Sequence, residues 1–237
     1  MAHRGNPWQS SLLSLLLLVS LANALEAAII DRLPTAEKVV AITFDACETK
    51  TPSYFDEKIL AYLLAEQLPC TIFVSGKFAR HNQEKLQELA QLDFIELENH
   101  SLTHPYHLEK LPIEVIRKEV LENEQLLAEL TGRKTKYFRF PAGQYDQKAV
   151  DLIEGWGYKI VHWTFASGDP DKNLTVAKLA SWVLAKTRPG SILIFHINGR
   201  GYQTGAALPT IVEKLRTRGY WFVRLEELLE PVTDVSR

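Results

Sequence analysis

A parallel α/β fold is the class this chain predicts, and three observations predict it. Short apolar or β-branched runs alternate with helical patterns from about residue 37 onward. The runs are close to continuous in apolar character, as in strands covered on both faces. Ionisable residues gather where the runs end. Seven strands with intervening helices imply parallel βα units. A closed or nearly closed barrel, one strand short of the eight-fold form, is the preferred architecture; an open doubly wound sheet is the alternative.

The elements follow in order. Val39 to Phe44 is the first strand, and Tyr54 to Gln67 then carries apolar residues at three and four spacing, the period of a helix buried on one face. Cys70 to Ser75 is the second strand and Gln83 to Gln91 the next helix, followed by the strand Phe94 to Leu97. Pro112 to Leu130 is a long helix, because proline suits a first turn and Gly132 suits a stop. Tyr137 to Arg139 leads to the helix Asp146 to Trp156, closed by Gly157, and Lys159 to Thr164 leads to Thr175 to Lys186. Ser191 to His196 precedes the helix Ala206 to Arg218, stopped by Gly219, and Tyr220 to Leu225 is the seventh strand.

Residues 1–24 read as a secretory signal peptide. His3 and Arg4 give a basic start, Leu12 to Leu21 is apolar apart from Ser14 and Ser20, and Ala22-Asn23-Ala24 offers a small-x-small cleavage pattern. The apolar run is shorter than the roughly 20 residues of a spanning helix, so export to the periplasm or the exterior, with no stable membrane insertion after cleavage, is expected. Residues 25–237 then form one domain, since no linker or second composition regime follows. With 46% apolar and 24% charged residues the composition is ordinary for a globular domain, and a net charge of −2 without a dense basic patch speaks against nucleic acid.

Two cysteines in an exported chain could pair. Cys47 lies just past the carboxyl end of the first strand, however, whereas Cys70 begins the second, which puts them at opposite ends of parallel neighbours. Two free thiols are expected, Cys70 in the core and Cys47 near the site.

The polar residues converge by topology. Asp45, the pair His100 and His104, Arg139, the segment Ser167 to Asp171, and His196 all fall at carboxyl ends of strands, the edge where βα folds assemble their sites. Histidines four apart in Asn99-His100-Ser101-Leu102-Thr103-His104-Pro105 suit two coordination positions supplied from one helical turn, with Pro105 ending it and Asn99 and Ser101 supporting it. Tyr106, Tyr145, Trp163, Phe165 and Tyr202 are suited to stacking on sugar rings, and Asn198-Gly199-Arg200-Gly201 to a polar groove wall.

Thr43-Phe44-Asp45-Ala46-Cys47-Glu48, the histidine pair, Arg139-Phe140-Pro141-Ala142-Gly143, Ser167-Gly168-Asp169 and Leu193-Ile194-Phe195-His196 together resemble, in order and spacing, the five motifs of the polysaccharide deacetylase family, carbohydrate esterase family 4. The resemblance spans about residues 37 to 225 and implies a distorted (β/α)7 barrel that removes acetyl groups from N- or O-acetylated glycans with a divalent metal, zinc first, cobalt or nickel otherwise. It makes Asp45 the general base, Arg139 its orienting partner, His196 the general acid and Asp169 the carboxylate that raises the pKa of His196. It also assigns the oxyanion contact to the Ala142 N–H, with Tyr145 beside it at the substrate, and the metal to His100 and His104. The sequence departs from the family at Ala46, where a second aspartate normally binds the metal, and alanine cannot coordinate. Glu48, with the longer reach, is the preferred replacement ligand and Cys47 the other. A glycan-binding relative without catalysis and a hydrolase of a small non-peptide C–N bond are the competing functions.

Overall fold

The structure is a computed structural model that describes residues 29–48 and 50–230; the signal-peptide assignment lies outside the described residues. Seven parallel strands form one sheet: β1 (Val39–Ala46), β2 (Cys70–Val74), β3 (Ile95–Asn99), β4 (Tyr137–Phe138), β5 (Lys159–Ile160), β6 (Ser191–His196) and β7 (Trp221–Val223). Their order is β5-β4-β3-β2-β1-β6, with β7 also pairing β1. The outer edges are not left open as a doubly wound sheet would leave them. Phe165, beyond β5, bridges Leu193 in β6, and the entering segment bridges both sides through Ile30 to Val161 and Arg32 to Ser191. The result is a distorted barrel.

Helices α1 (Glu57–Glu66), α2 (Gly76–His81), α3 (Gln83–Leu89), α4 (Ile113–Thr131), α5 (Gln147–Glu154), α6 (Val176–Lys186), α7 (Thr204–Thr217) and α8 (Glu226–Leu229) connect or follow the strands. The predicted helices are present; α2 and α8 were not predicted, being short and lacking a full apolar period. Local chemistry sets several boundaries. Asp56 accepts the amides of Lys58 and Ile59 at the start of α1, and Gly132 ends α4 in the left-handed conformation at φ 72°. No described helix is long and apolar enough to cross a membrane.

The period of two along each strand divides the core. Val40, Ile42, Phe44 and Ala46 face the helix layer with Ile59, Leu63, Leu208 and Ile211, while Val39 and Ala41 join Phe73, Tyr137, Val161 and Ile192 in a separate inner cluster. Each fully buried aliphatic side chain in these layers contributes about 1.5–3 kcal/mol of transfer free energy. On the interior face, polar residues replace apolar ones. At one end Glu96 accepts from Thr71 Oγ1 (2.5 Å) and Leu225 N (2.9 Å), and Glu98 from the amides of Lys136 (2.8 Å) and Tyr137 (2.7 Å). At the carboxyl end the same alternation delivers Asp45 and His196, which are register partners on β1 and β6.

Both cysteines are free and buried, as expected from their strand positions. Cys70 packs in the helix-side core, while Cys47 sits beside His100 and His104.

Candidate active site

Residues His100 to His104 do not form the expected helical turn. They are a loop in which Ser101 (φ 66°) and His104 (φ 56°) adopt left-handed backbone, a conformation non-glycine residues take only when their surroundings impose it. The imposing groups are buried side chains. Asn99 Oδ1 accepts the Ser101 amide (3.0 Å) and is itself held by Asn123 Nδ2 (2.8 Å), and Asn99 Nδ2 donates to Val120 O (3.0 Å) and the Tyr158 hydroxyl (2.9 Å). Glu119 accepts both the amide (2.7 Å) and the hydroxyl (2.6 Å) of Thr103, and Ser101 Oγ accepts the His104 amide at 3.1 Å. Two imidazoles are thereby brought edge to face, with centroids 4.8 Å apart.

His100 Nδ1 lies 2.8 Å from the Arg139 carbonyl, which can only accept, so Nδ1 carries the proton and Nε2 a lone pair. That Nε2 is buried without a hydrogen-bond partner and faces Asp45 Oδ2 at 3.5 Å. Two acceptors facing one another in a dry site call for a cation between or beside them. Burial lowers the pKa of His100 despite Asp45, and burial together with His100 pushes His104 down to about 3, so both rings are neutral and able to donate lone pairs. These donors fit a divalent metal of the zinc class.

Asp45 is gripped from the opposite side. Arg139, fully buried, donates from one guanidinium nitrogen to Asp45 Oδ1 (2.8 Å) and from another to His162 O (3.1 Å), with its carbon 4.0 Å from the Phe73 ring centroid. Burial would raise the Asp45 pKa, but the charges of His100, Arg139 and His196 outweigh it and hold the carboxyl down to about 2. Across the cavity, Asp169 Oδ1 lies 2.9 Å from His196 Nδ1, and its Oδ2 accepts the His196 amide (2.7 Å) and Thr204 Oγ1 (2.9 Å). Burial lowers the His196 pKa; the Asp169 hydrogen bond and charge overcome it, and the net shift is upward. Gly201 makes that contact feasible, because a Cβ there would come within 2.7 Å of Asp169 Oδ2.

Asp45, His104, Ala142, Trp163, Asp169, His196 and Arg200 share one cavity of about 720 Å³. Ala142 adopts φ 53° in the turn Pro141–Gly143. Tyr106 also lines the cavity, whereas Tyr145 stands outside that lining, 43% exposed and packed on Phe140 and His162. Phe165 packs against the helix-side core, and Tyr202 borders a different depression near Asp56.

Glu48 is not where the sequence reading put it. Its Oε2 contacts His81 Nδ1 (2.7 Å) and accepts the Ser53 amide (3.1 Å), which turns the carboxylate away from His100 and His104. The residue that joins them is Cys47, whose Sγ and the two imidazole nitrogens lie within 4.8 Å of one another. Burial and the charge of Asp45 push the Cys47 thiol up to about 12, with Arg200 and Asn198 acting in the other direction. Asn198 and Arg200 carried only a groove-wall assignment, and Asn123, Glu119 and Thr204 none; their signal was proximity to His196 for the first two and no local pattern for the rest.

The polysaccharide deacetylase family model matches residues 32–161. A peptidoglycan-N-acetylglucosamine deacetylase of Bacillus cereus is 27% identical over 199 residues, covering 83% of this chain and 70% of that protein. A crystal structure of a peptidoglycan N-acetylglucosamine deacetylase in complex with a naphthalenyl-N-oxidanyl-benzamide superposes with a TM-score of 0.77 at 25% identity, over 85% of this chain and 92% of the other. A CE4 family pseudoenzyme from Bacillus anthracis superposes with a TM-score of 0.76 at 25% identity, over 87% of this chain and 70% of the other. With the family model matched over more than half its length, the chain belongs to the polysaccharide deacetylase family.

Proposed function

We propose that this protein is an exported, metal-dependent hydrolase that removes acetyl groups from an N- or O-acetylated glycan such as peptidoglycan or a chitooligosaccharide. The observation that carries the reading is the pairing of a carboxylate held ionised by Arg139 with a histidine held protonatable by Asp169, on register-paired residues of adjacent strands facing one cavity. Those are a base and an acid for opposite halves of an acyl transfer.

His100 and His104 would hold a divalent ion, zinc in this reading, which when bound supplies a Lewis acid that polarises the acetyl carbonyl and acidifies water. Asp45 Oδ2 takes the proton of the attacking water, while Arg139 fixes the carboxylate through Oδ1. The Ala142 N–H donates to the oxyanion from its left-handed turn. His196, its Nδ1 engaged by Asp169, delivers a proton from Nε2 to the departing amine or alcohol. Trp163 and Tyr106 offer aromatic surface to sugar rings along the cavity, and Tyr145 extends it at the rim.

The pseudoenzyme relative and Ala46 favour a second reading, a glycan binder without turnover. Both catalytic pairs are intact in geometry, which favours the enzyme. The full chain is expected to release acetate from chitooligosaccharides, peptidoglycan or acetylated xylan with zinc or cobalt, and Asp45→Asn to abolish it. Glycan binding unaffected by chelator, with no acetate from any substrate, would establish the binder instead.

A further inference from the structure

We propose that Cys47 is the third protein ligand of the metal, which makes the site a thiolate with two imidazoles and selects zinc-class ions over magnesium and manganese. The inference rests on the metal-dependent reading above and adds what completes the shell.

The first support is strand alternation. Ala46 packs in the helix-side core, so residue 46 points away from the barrel interior, and the next position on the interior face after Asp45 is Cys47. A side chain at 46 would have to leave its strand direction to reach the histidines; one at 47 does not. The second support is the unpartnered, fully buried Nε2 of His100, fixed by the Arg139 carbonyl as a lone-pair donor into the same small volume as Cys47 Sγ. The third is a tether. Asn198 Nδ2 lies 3.2 Å from Cys47 Sγ and also donates to the Cys47 carbonyl, which fixes the thiol's direction from the β6 side. An amide N–H directed at sulfur stabilises charge on it, as outer-shell donors do for metal-bound thiolates. Glu48, the competing donor, is held by His81 and Ser53.

Ligand chemistry then sets the metal. A thiolate with two imidazoles matches zinc and cobalt(II), whereas magnesium and manganese prefer oxygen donors. On binding, Cys47 Sγ loses its proton to solvent and a metal–sulfur bond forms.

The test is a cobalt(II) titration of the metal-stripped full chain, kept reduced, read by absorbance. A thiolate-to-cobalt charge-transfer band in the near ultraviolet is expected at one cobalt per chain. It is expected to persist in Cys70→Ala, and to vanish in Cys47→Asp while the visible ligand-field bands remain. Losing an outer-shell partner already weakens metal binding ~10–100-fold, so Cys47→Ala is expected to weaken zinc binding by more than about 100-fold. Bound cobalt with no charge-transfer band in the wild type would overturn the assignment and leave the deacetylase reading standing if acetate is released. No bound metal at all would overturn both. The charge-transfer band without acetate release would support Cys47 as ligand and refute the enzyme.

Discussion

Replacing Arg139 by methionine tests the electrostatic core of the site independently of any metal. Asp45 is 4% exposed, and its carboxyl lies at about 2 against an ordinary 3.8. Because the folded pKa is the lower one, this group stabilises the fold by roughly 2 kcal/mol above pH 3.8, a contribution lost as pH falls through about 2. Arg139 is the partner that remains charged at neutral pH. Removing it forfeits that stabilisation and leaves the burial penalty of the carboxylate without compensation, so the loss should reach the ~3–5 kcal/mol typical of a broken buried pair. The Val161 and His162 carbonyls also lose their guanidinium donors, at about 1 kcal/mol each. Against a whole-domain stability of ~5–15 kcal/mol this is severe. Urea denaturation of the metal-free chain at pH 7, followed by circular dichroism, should show a lower midpoint in Arg139→Met. In the double variant with Asp45→Asn, about 2 kcal/mol should return, because the stranded charge is gone. A loss under about 1 kcal/mol, or a double variant no more stable than the single, would refute the reasoning.

Asp169→Asn should lower kcat and move the alkaline limb of the rate profile to lower pH, since His196 then loses the carboxylate that raises its pKa; an unmoved limb would exclude His196 as the acid. At the other end of the barrel, burial raises the Glu96 pKa from 4.5 to about 7, so the folded state holds that proton more tightly than the unfolded chain. Stability should fall by roughly 3 kcal/mol as pH rises from 4.5 through about 7, and Glu96→Gln should flatten that slope in denaturant titrations at several pH values. Gly143→Ala places a Cβ at φ 66° against the Trp163 ring and 3.0 Å from His162 Nε2. About 1–3 kcal/mol of strain and a raised KM, measured by thermal unfolding and initial rates, are expected as Trp163 is pushed into the cavity.

Most of the architecture was legible because it rests on period and punctuation. Near-continuous apolar strands, three-four helical spacing and stops such as Gly132 are local signals, and strand order then carries Asp45, Arg139 and His196 to one edge. What the sequence concealed depends on contacts distant in the chain. The spacing of His100 and His104 matches a helical turn, yet Asn123 and Glu119 on α4 hold the loop in left-handed backbone that no local residue requires. Glu48 was preferred over Cys47 on reach, whereas direction decides. The alternation of β1 continues past Phe44 and puts Cys47 on the face of Asp45, while His81, brought in by the unpredicted α2, captures Glu48. Arg200 was hidden between two glycines, where a flexible loop is the ordinary expectation.

The most direct measurement is acetate release by the metal-stripped full chain from an acetylated chitooligosaccharide and from peptidoglycan, before and after adding zinc. The account predicts no release from the stripped chain, recovery with about one zinc per chain, and none from zinc-loaded Asp45→Asn. Release that persists without metal, or zinc-loaded wild type that binds glycan and frees no acetate, would contradict it.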